Sequence, residues 1–330
     1  MRPVVELRAE EVAPLVGRKA DDLTLTRIPG GASRESFLVE ATGKERWVLR
    51  CDPPGAQSFA PLELERRLLA AAAGAGVAVP RVVGFAAAAD PALGEREGYA
   101  MAHVAGESVA PRLLRKEEYA AARTSLGPQL GSALARIHSI DPASVEGLAL
   151  PEGNPALAAC DLWEAEIDRI GEPLPGVEAG LRWLRLNAPD PPERLSVVHG
   201  DYRLGNFIVD EDGLAAVIDW ELAHGGDAAE DIGWLTIRSW RFGNDELPVG
   251  GVGELAPFLD AYEEAGGARP EAERLRWWEA MGNVKWAVIC ARQAADHLSG
   301  ARPSHELASL GRRICEPEWD LLSLIAGEAG

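Results

Sequence analysis

Alternating hydrophobic and polar positions dominate the first fifty residues of the chain. Phe37 and Val39 lie two residues apart between polar or opposite-face neighbours, which is the pattern of a half-buried strand. Thr42-Gly43-Lys44 is typical of a hairpin turn and separates two such runs. We predict three strands, at Leu23–Arg27, Ser36–Ala41 and Arg46–Cys51.

One helix and two more strands are predicted before residue 105. Pro61–Ala73 has a proline at its start and Gly74 just past its end, both of which favour a helix with these limits. Val77–Val83 and Tyr99–Val104 are short apolar runs that predict strands. The first hundred residues are therefore expected to hold strands and a single helix.

Helical periodicity takes over from about residue 112. Leu126, Leu130, Leu134 and Ile137 are four, four and three residues apart, which places them on one face of a long helix that ends near His138. The strand-rich segment 196–220 interrupts the helical part, in which further helices are predicted at 156–170, 176–187, 253–265, 270–298 and 304–327.

These patterns predict an α+β protein with two lobes. Residues 1–105 would form a β-rich N-terminal lobe that binds nucleotide, and residues 106–330 a mainly helical C-terminal lobe. We place a hinge near Gly106 and a functional cleft between the lobes.

The charge balance excludes one class of partner. The net charge is −19, with 52 acidic and 33 basic residues, whereas a nucleic-acid-binding surface needs clustered lysine and arginine. The negative charge either serves general solubility or attracts a cationic substrate. We expect no nucleic-acid partner, and the oligomeric state stays open.

Other features of the sequence predict a cytoplasmic protein with no membrane partner. The longest uncharged run, Leu68–Pro80, has 13 residues, fewer than the about 20 that span a bilayer, and the N-terminal segment lacks the apolar core of a signal peptide. The cysteines have neither C-x-x-C spacing nor a zinc-site arrangement, so we expect reduced thiols; they lie at Cys51, Cys160, Cys290 and Cys315.

Candidate chemistry is concentrated between Val197 and Trp220. An apolar pair runs into the polar loop His199-Gly200-Asp201, Asn206 follows five residues after Asp201, and a second apolar strand delivers Asp219. Phosphoryl transfer needs an oriented hydroxyl and Mg²⁺ held by hard oxygen ligands. One carboxylate near the hydroxyl, with a second carboxylate and an amide for the metal, meets both needs.

The motif H-G-D-x-x-x-x-N at 199–206, followed by I-D-W-E at 218–221, resembles the aminoglycoside phosphotransferase-like small-molecule kinases. The spacing is also similar to the catalytic-loop and metal-binding arrangement of protein kinases. Segments 219–224, 239–243 and 311–316 are most similar to the branch associated with acyl-CoA dehydrogenases. The resemblance implies a protein-kinase-like bilobal fold that uses ATP and Mg²⁺.

The resemblance also implies roles for the matching residues of the C-terminal lobe. Asp201 would orient or deprotonate the acceptor hydroxyl, and Asn206 and Asp219 would bind magnesium. Arg203 would face the transferred phosphate or form a structural ion pair. Asp231 would brace the catalytic loop. His199 is expected to be buried and to support the same loop.

The N-terminal lobe carries weaker signals. Arg50 ends a strand at which relatives have a phosphate-binding lysine, and an arginine can also grip phosphate oxygens. Its expected helical partner is Glu65, with Glu63 as the fallback. The remaining nucleotide-binding candidates are a phosphate-covering loop with Gly30, Gly31 and Ser33 and an adenine-binding connection with Met101, His103 and Val104.

The acceptor is predicted from the pocket charge. Aminoglycosides are polycations and call for a pocket rich in Asp and Glu, whereas arginine and tryptophan favour an anionic group on an apolar body. We therefore expect a hydroxy acid or a hydroxyacyl-CoA, although these arginines and tryptophans are equally compatible with surface and core positions. The pocket candidates are Glu221, Arg238, Trp240, Arg241 and Trp286, with Trp277, Trp278 and Arg292 in the same helical part.

Two alternatives remain open at this stage. An aminoglycoside or other antibiotic O-phosphotransferase would use the same catalytic residues on a different acceptor. A nucleotide-binding pseudokinase is compatible with Arg50, while Asp201, Asn206 and Asp219 argue against it. A protein kinase is disfavoured because Trp220-Glu221 stands in place of Phe-Gly.

Overall fold

An antiparallel five-stranded sheet forms the N-terminal part of the protein in the computed structural model, which describes residues 7–28, 34–53, 61–88 and 92–327. The order is β1-β2-β3-β5-β4, with β1 Leu23–Ile28, β2 Glu35–Ala41, β3 Arg46–Cys51, β4 Val82–Ala86 and β5 Gly98–Ala102. Val39 lies opposite Trp47 and Phe37 opposite Leu49. The alternation is confirmed, because Val39 and Leu49 are fully buried on one face.

Two α-helices accompany this sheet, where the sequence predicted one. Helix α2, Leu62–Gly74, lies within one residue of its predicted limits. Helix α1, Ala9–Val16, was missed because Pro14 interrupts its pattern. Val12 and Leu15 of α1 are buried in one cluster with Val39 and Leu49, so this short helix covers one face of the sheet.

The strand predicted at Val77–Val83 is wrong. The segment before residue 82 is irregular, and the strand is β4, which continues to Ala86 after a register shift between Val82 and Gly84. Pro80 has no N–H with which to join a ladder. The carbonyl of Ala78 instead accepts from the N–H of Val217, which ties this segment to the C-terminal part.

The C-terminal part is mainly helical. The prediction at 304–327 was wrong in one respect, since a 3₁₀ turn at Gly311–Arg313 divides it into two helices. Residues 229–236 form a helix that the sequence analysis did not predict. The helices are α3 Ala110–Arg115, α4 Ala120–His138, α5 Pro155–Ile170, α6 Pro175–Leu186, α7 Ala229–Thr236, α8 Leu255–Glu264, α9 Ala272–Leu298, α10 His305–Leu310 and α11 Cys315–Ala326.

Two short antiparallel pairs interrupt the helices and carry the polar loops. Strand β6, Ser196–Val198, pairs with β9, His224–Gly226, and β7, Phe207–Val209, pairs with β8, Leu214–Val217. The sheet and the helical part form the two-lobed, kinase-like α+β fold expected from the sequence, and the boundary at residue 105 stays a prediction.

The main hydrophobic core lies beneath these loops. It joins α2, α4 and α8 to the buried residues that flank the polar loop, among them Tyr202 and Phe207. Tyr202 also donates from its hydroxyl to the carbonyl of Leu130 at 2.8 Å. The loop is thus anchored to helix α4 of this core.

In the part of the chain that the structure describes, no helix combines the length and apolar character needed to cross a bilayer.

Candidate active site

The loop after β6 turns sharply at Gly200. Its φ of +77° lies in the left-handed region, and a Cβ at this position would lie 2.3 Å from the carbonyl oxygen of Leu222. Only glycine therefore fits between β6 and the segment after Asp219. The turn presents Asp201 at the edge of the core.

Asp201 is held by three side-chain donors. Its Oδ1 accepts from Arg203 Nε and from Trp234 Nε1, both at 2.9 Å, and its Oδ2 accepts from Asn206 Nδ2 at 2.5 Å. The carboxylate is only 14% exposed. These hydrogen bonds fix the orientation of the Asp201 carboxylate. The bond from Arg203 also favours the structural ion pair over the phosphate-facing role as the interpretation of Arg203.

Trp234 is a contact of Asp201 that the sequence analysis missed. It lies 33 residues further along the chain, on α7, and its indole N–H reaches back to the loop. The sequence contained only one signal, the position of Trp234 three residues after Asp231. Nothing in that spacing says that the indole reaches Asp201.

His199 supports the loop rather than carrying protons. Its ring is fully buried, and burial lowers its pKa, which keeps the imidazole neutral. Nδ1 accepts from the N–H of Asp201 at 3.2 Å, and Nε2 then donates to the carbonyl of Ile218 at 3.1 Å. One neutral tautomer satisfies both bonds and links the two polar loops.

Asp231 braces the same loop from below. Its fully buried carboxylate accepts from the backbone N–H groups of His199 and Gly200, at 2.7 and 2.9 Å, and contacts His138 Nε2 at 3.2 Å. Burial alone would raise the pKa of Asp231, but the bonds from His138 and the loop outweigh it and lower the pKa. The carboxylate therefore stays ionised in the fold.

Asp219 follows β8 at a strained position. Its φ of +67° is uncommon outside glycine, and such conformations persist where the surroundings enforce them. Its Oδ1 accepts from Arg50 Nη1 at 2.9 Å. Burial by itself would raise the pKa of Asp219, but the guanidinium of Arg50 holds it below its usual range, so an ionised carboxylate faces the cleft.

Arg50 connects the sheet to Asp219 more closely than to its predicted helical partner. Its Nη1 lies 3.8 Å from Glu65, and its Nη2 lies 3.7 Å from Glu221. Glu65, buried on α2, contacts Arg34 and accepts from the Tyr99 hydroxyl at 2.9 Å. The fallback partner Glu63 instead pairs with Arg66 and Arg67 of its own helix.

A cavity of about 530 Å³ lies between the sheet and the polar loops. The predicted connection lines it with Met101, His103 and Val104, and the loops contribute Asn206 and Asp219. The N–H of His103 already donates to the carbonyl of Arg46 at 3.1 Å, so His103 can serve adenine only through its carbonyl or its ring. Gly30, Gly31 and Ser33 lie outside the described residues.

The donor set around Asp219 fits a magnesium ion. Among the described residues, no group of three or more His, Cys, Asp and Glu side chains is arranged to hold a metal. Mg²⁺ in nucleotide enzymes commonly takes one or two protein oxygens and completes its shell with phosphates and water. Asp219 offers an ionised carboxylate, and because Asn206 donates through Nδ2, its amide oxygen remains as an acceptor in the same cavity wall.

Two of the predicted acceptor residues pack beside the catalytic loop. Trp240 and Trp286 pack with Trp234 in one aromatic cluster in edge-to-face or tilted geometry, with ring centroids 4.7–6.5 Å apart. The Arg203 guanidinium lies 4.5 Å from the Trp240 ring centroid. This cluster contacts Asp201 through the indole of Trp234, and Trp240 itself is only 4% exposed.

The other acceptor candidates do not converge on one pocket. Glu221 lines the cavity between the sheet and the polar loops, Arg238 pairs with Asp245 at the surface, and Arg241 donates to the carbonyl of Thr236. The sequence left open whether the tryptophans lie in the core or in a pocket, and Trp277 and Trp278 lie in the core. Both are buried in the cluster that joins α5, α6, α9 and α11, where their indole N–H groups donate to Leu184 O and Asp227 Oδ2.

Taken together, the sheet, the helical part and the braced aspartate loop define a kinase-like phosphotransferase. The chain belongs to the APH family, the phosphotransferase enzyme family, whose family model matches residues 24–278. This confirms the family resemblance inferred from the motif at 199–206.

Solved structures agree with this assignment. The chain is similar to a protein from Ralstonia eutropha that is classed with the aminoglycoside phosphotransferases, with 25% identity over 95% of this chain and 97% of that one and a TM-score of 0.74. The fold is also that of a thermostable mutant of aminoglycoside phosphotransferase APH(4)-Ia, solved with AMP-PNP and hygromycin B. That comparison covers 98% of both chains, with 18% identity and a TM-score of 0.63.

Sequence similarity also extends to larger proteins. Acyl-CoA dehydrogenase family member 11 of Gallus gallus is 26% identical over 331 residues, which cover 92% of this chain and 41% of that protein. The chain thus spans about two fifths of the length of this curated relative.

Proposed function

We propose that the protein transfers the γ-phosphoryl group of ATP to a hydroxyl group of a small molecule and depends on Mg²⁺. The observation that carries the proposal is that Asn206 and Asp219 line one cavity together with Arg50 of the sheet, while Asp201 is hydrogen-bonded to Asn206. A cavity of about 530 Å³ is large enough for a nucleotide-sized ligand.

In the proposed reaction, Asp201 receives the proton of the acceptor hydroxyl. The hydroxyl oxygen forms a bond to the γ-phosphorus while the bond from that phosphorus to the β,γ-bridging oxygen breaks, and ADP leaves with the electron pair. The donors from Arg203 and Trp234 keep Asp201 oriented toward the hydroxyl. Arg50 would bind phosphate oxygens, since its guanidinium is always charged and offers paired N–H groups.

Asp219 and Asn206 would hold the magnesium ion. When bound, the ion neutralises charge on the β- and γ-phosphates and keeps them in position for transfer. Asp219 pairs with Arg50 at 2.9 Å, so we expect Arg50 to share this carboxylate with the metal or to turn toward the nucleotide.

Replacing Asp219 with alanine should abolish the magnesium-dependent part of ATP binding. The variant loses the only carboxylate that we assign to the metal, whereas the adenine-binding wall is untouched. Thermal shift with ATP, with and without Mg²⁺, measures this, because a ligand that binds the folded state raises its melting temperature. Asp212→Ala, at an exposed turn, is the control. Equal Mg·ATP stabilisation in wild type and Asp219→Ala would refute the metal assignment.

For the acceptor, we propose an anionic hydroxy acid or a hydroxyacyl-CoA. Support comes from the basic and aromatic residues near the catalytic loop and from similarity to a protein named for acyl-CoA dehydrogenation. An antibiotic O-phosphotransferase is the second candidate. The structural similarity to a hygromycin B complex and the net charge of −19 favour it.

The deciding experiment measures ADP release from Mg·ATP with hydroxy acids, hydroxyacyl-CoA thioesters, aminoglycosides, choline and homoserine. We expect saturable turnover with a hydroxy acid or thioester. Saturable turnover of aminoglycosides alone would replace this proposal with the second candidate. Mg·ATP binding without turnover of any acceptor would contradict the proposed reaction and support a pseudokinase.

A further inference from the structure

A second cavity of about 360 Å³ lies beside the catalytic loop. Helix α5, strand β9 and helix α9 form its walls, and most of its lining is apolar. Three of its leucines, Leu150, Leu162 and Leu222, are 49%, 56% and 39% exposed. Such a concentration of exposed leucine around one concave surface marks a binding site more often than an ordinary surface.

This cavity is physically continuous with the catalytic machinery. Lys285, in its wall, donates from Nζ to the carbonyl of Gly200, the residue before Asp201. Leu222 lines the cavity and also packs its backbone against Gly200. Glu221, one residue earlier, lines the nucleotide cavity. The segment at residues 221 and 222 therefore contributes to both cavities.

The charges in the wall disfavour a polycation. Its two acidic residues are already paired: Glu230 with His224 at 3.1 Å and with Lys285 at 3.7 Å, and Glu166 with Arg292 at 3.6 Å. Glu166 also contacts Arg169 of its own helix. An aminoglycoside would have to compete with these cations for every carboxylate. An apolar chain that carries a neutral or negative group would not compete with these cations, because it needs no carboxylate.

We infer that this cavity holds the apolar acyl or alkyl body of the acceptor, so that the substrate class is a hydroxylated, medium-chain acyl compound. The inference rests on the proposed function, because it places the acceptor of that reaction. It differs from the sequence-based prediction, whose pocket candidates Glu221, Arg238, Trp240, Arg241 and Trp286 all lie outside this cavity, whereas Arg292, named in the same helical part, lines it. The apolar body lies instead between α5 and the segment that follows Asp219.

Binding of decanoate tests this without any phosphoryl transfer, since decanoate has no hydroxyl group. Isothermal titration should show that the full chain binds decanoate at least about tenfold more tightly than butyrate, because burial of each added methylene is favourable. Ala158→Phe fills the cavity and should remove this preference. Leu157→Phe adds the same residue one position earlier on α5, outside the lining, and should keep it.

Separate control experiments test whether the variants fold and whether the protein transfers phosphate. Both variants should retain wild-type stabilisation by Mg·ATP. Should Ala158→Phe not fold, Leu162→Asp introduces a charge at a 56% exposed wall position and should weaken decanoate binding by a similar factor. The inference fails if wild type shows no preference for the longer chain, or if neither cavity variant changes it. Decanoate binding as expected, without ADP release from any hydroxy acid or thioester, would overturn the proposed function and leave a site for apolar ligands.

Discussion

Replacing Asp201 with asparagine is expected to lower the rate of phosphoryl transfer by about 10²–10⁴-fold, the usual contribution of a positioned general base. An amide cannot accept the hydroxyl proton. It also presents an NH₂ group where Asp201 now accepts from Asn206 or from Arg203 and Trp234. ATP binding should persist, because Asp201 is not among the residues that line the nucleotide cavity.

The measurement is kcat and KM with the best acceptor of the panel, together with thermal shift by Mg·ATP. We expect the loss to fall on kcat, since an interaction made in the transition state is removed. Asp212→Asn, an exposed aspartate in the turn between β7 and β8, should have wild-type rates. If Asp201→Asn keeps its turnover, Asp201 is not the base and the proposed mechanism is wrong.

Replacing Asp231 with asparagine is expected to lower the free energy of unfolding by about 1–3 kcal/mol, the usual cost of leaving a buried hydrogen-bonding group without its partner. Three donors converge on this fully buried carboxylate, from His199, Gly200 and His138. Asparagine offers one acceptor oxygen, and its NH₂ group would face a donor. At least one buried N–H would then lose its partner.

Urea unfolding at neutral pH, with Asp212→Asn as the control, measures this loss. The dependence on pH gives a second readout. Because the pKa of Asp231 is lowered in the folded protein, its contribution is present above the ordinary carboxyl pKa of about 3.9 and disappears as the pH falls through the lowered value. The difference between the two proteins should therefore shrink in acid. Equal stability at neutral pH would mean that Asp231 does not brace the loop.

Much of the fold followed from local sequence patterns. The alternation around Val39 and the turn at residues 42–44 define a hairpin between β2 and β3, because side chains two apart must share one face of a strand. The leucines of α4 recur at helical spacing and are buried as that spacing requires. Two of the errors occurred where proline obscured the pattern, at Pro14 in α1 and Pro80 before β4.

The catalytic motif was also visible in the sequence, since Asp201, Asn206 and Asp219 lie within 19 residues on adjoining strands and loops. Short loops between paired strands keep such residues together, so their spacing along the chain predicts proximity. The family match to residues 24–278 confirmed the family that this motif indicated.

Contacts between distant segments were decided only by the tertiary structure. Trp234 reaches Asp201, Arg50 reaches Asp219 across 169 residues, and Lys285 reaches Gly200 across 85. Periodicity reports which face of an element is buried but carries no information about which remote element covers it. For that reason the sequence determined the elements and the polar loop with Asp201, whereas the packing of α5, β9 and α9 formed the cavity that we propose for the acceptor.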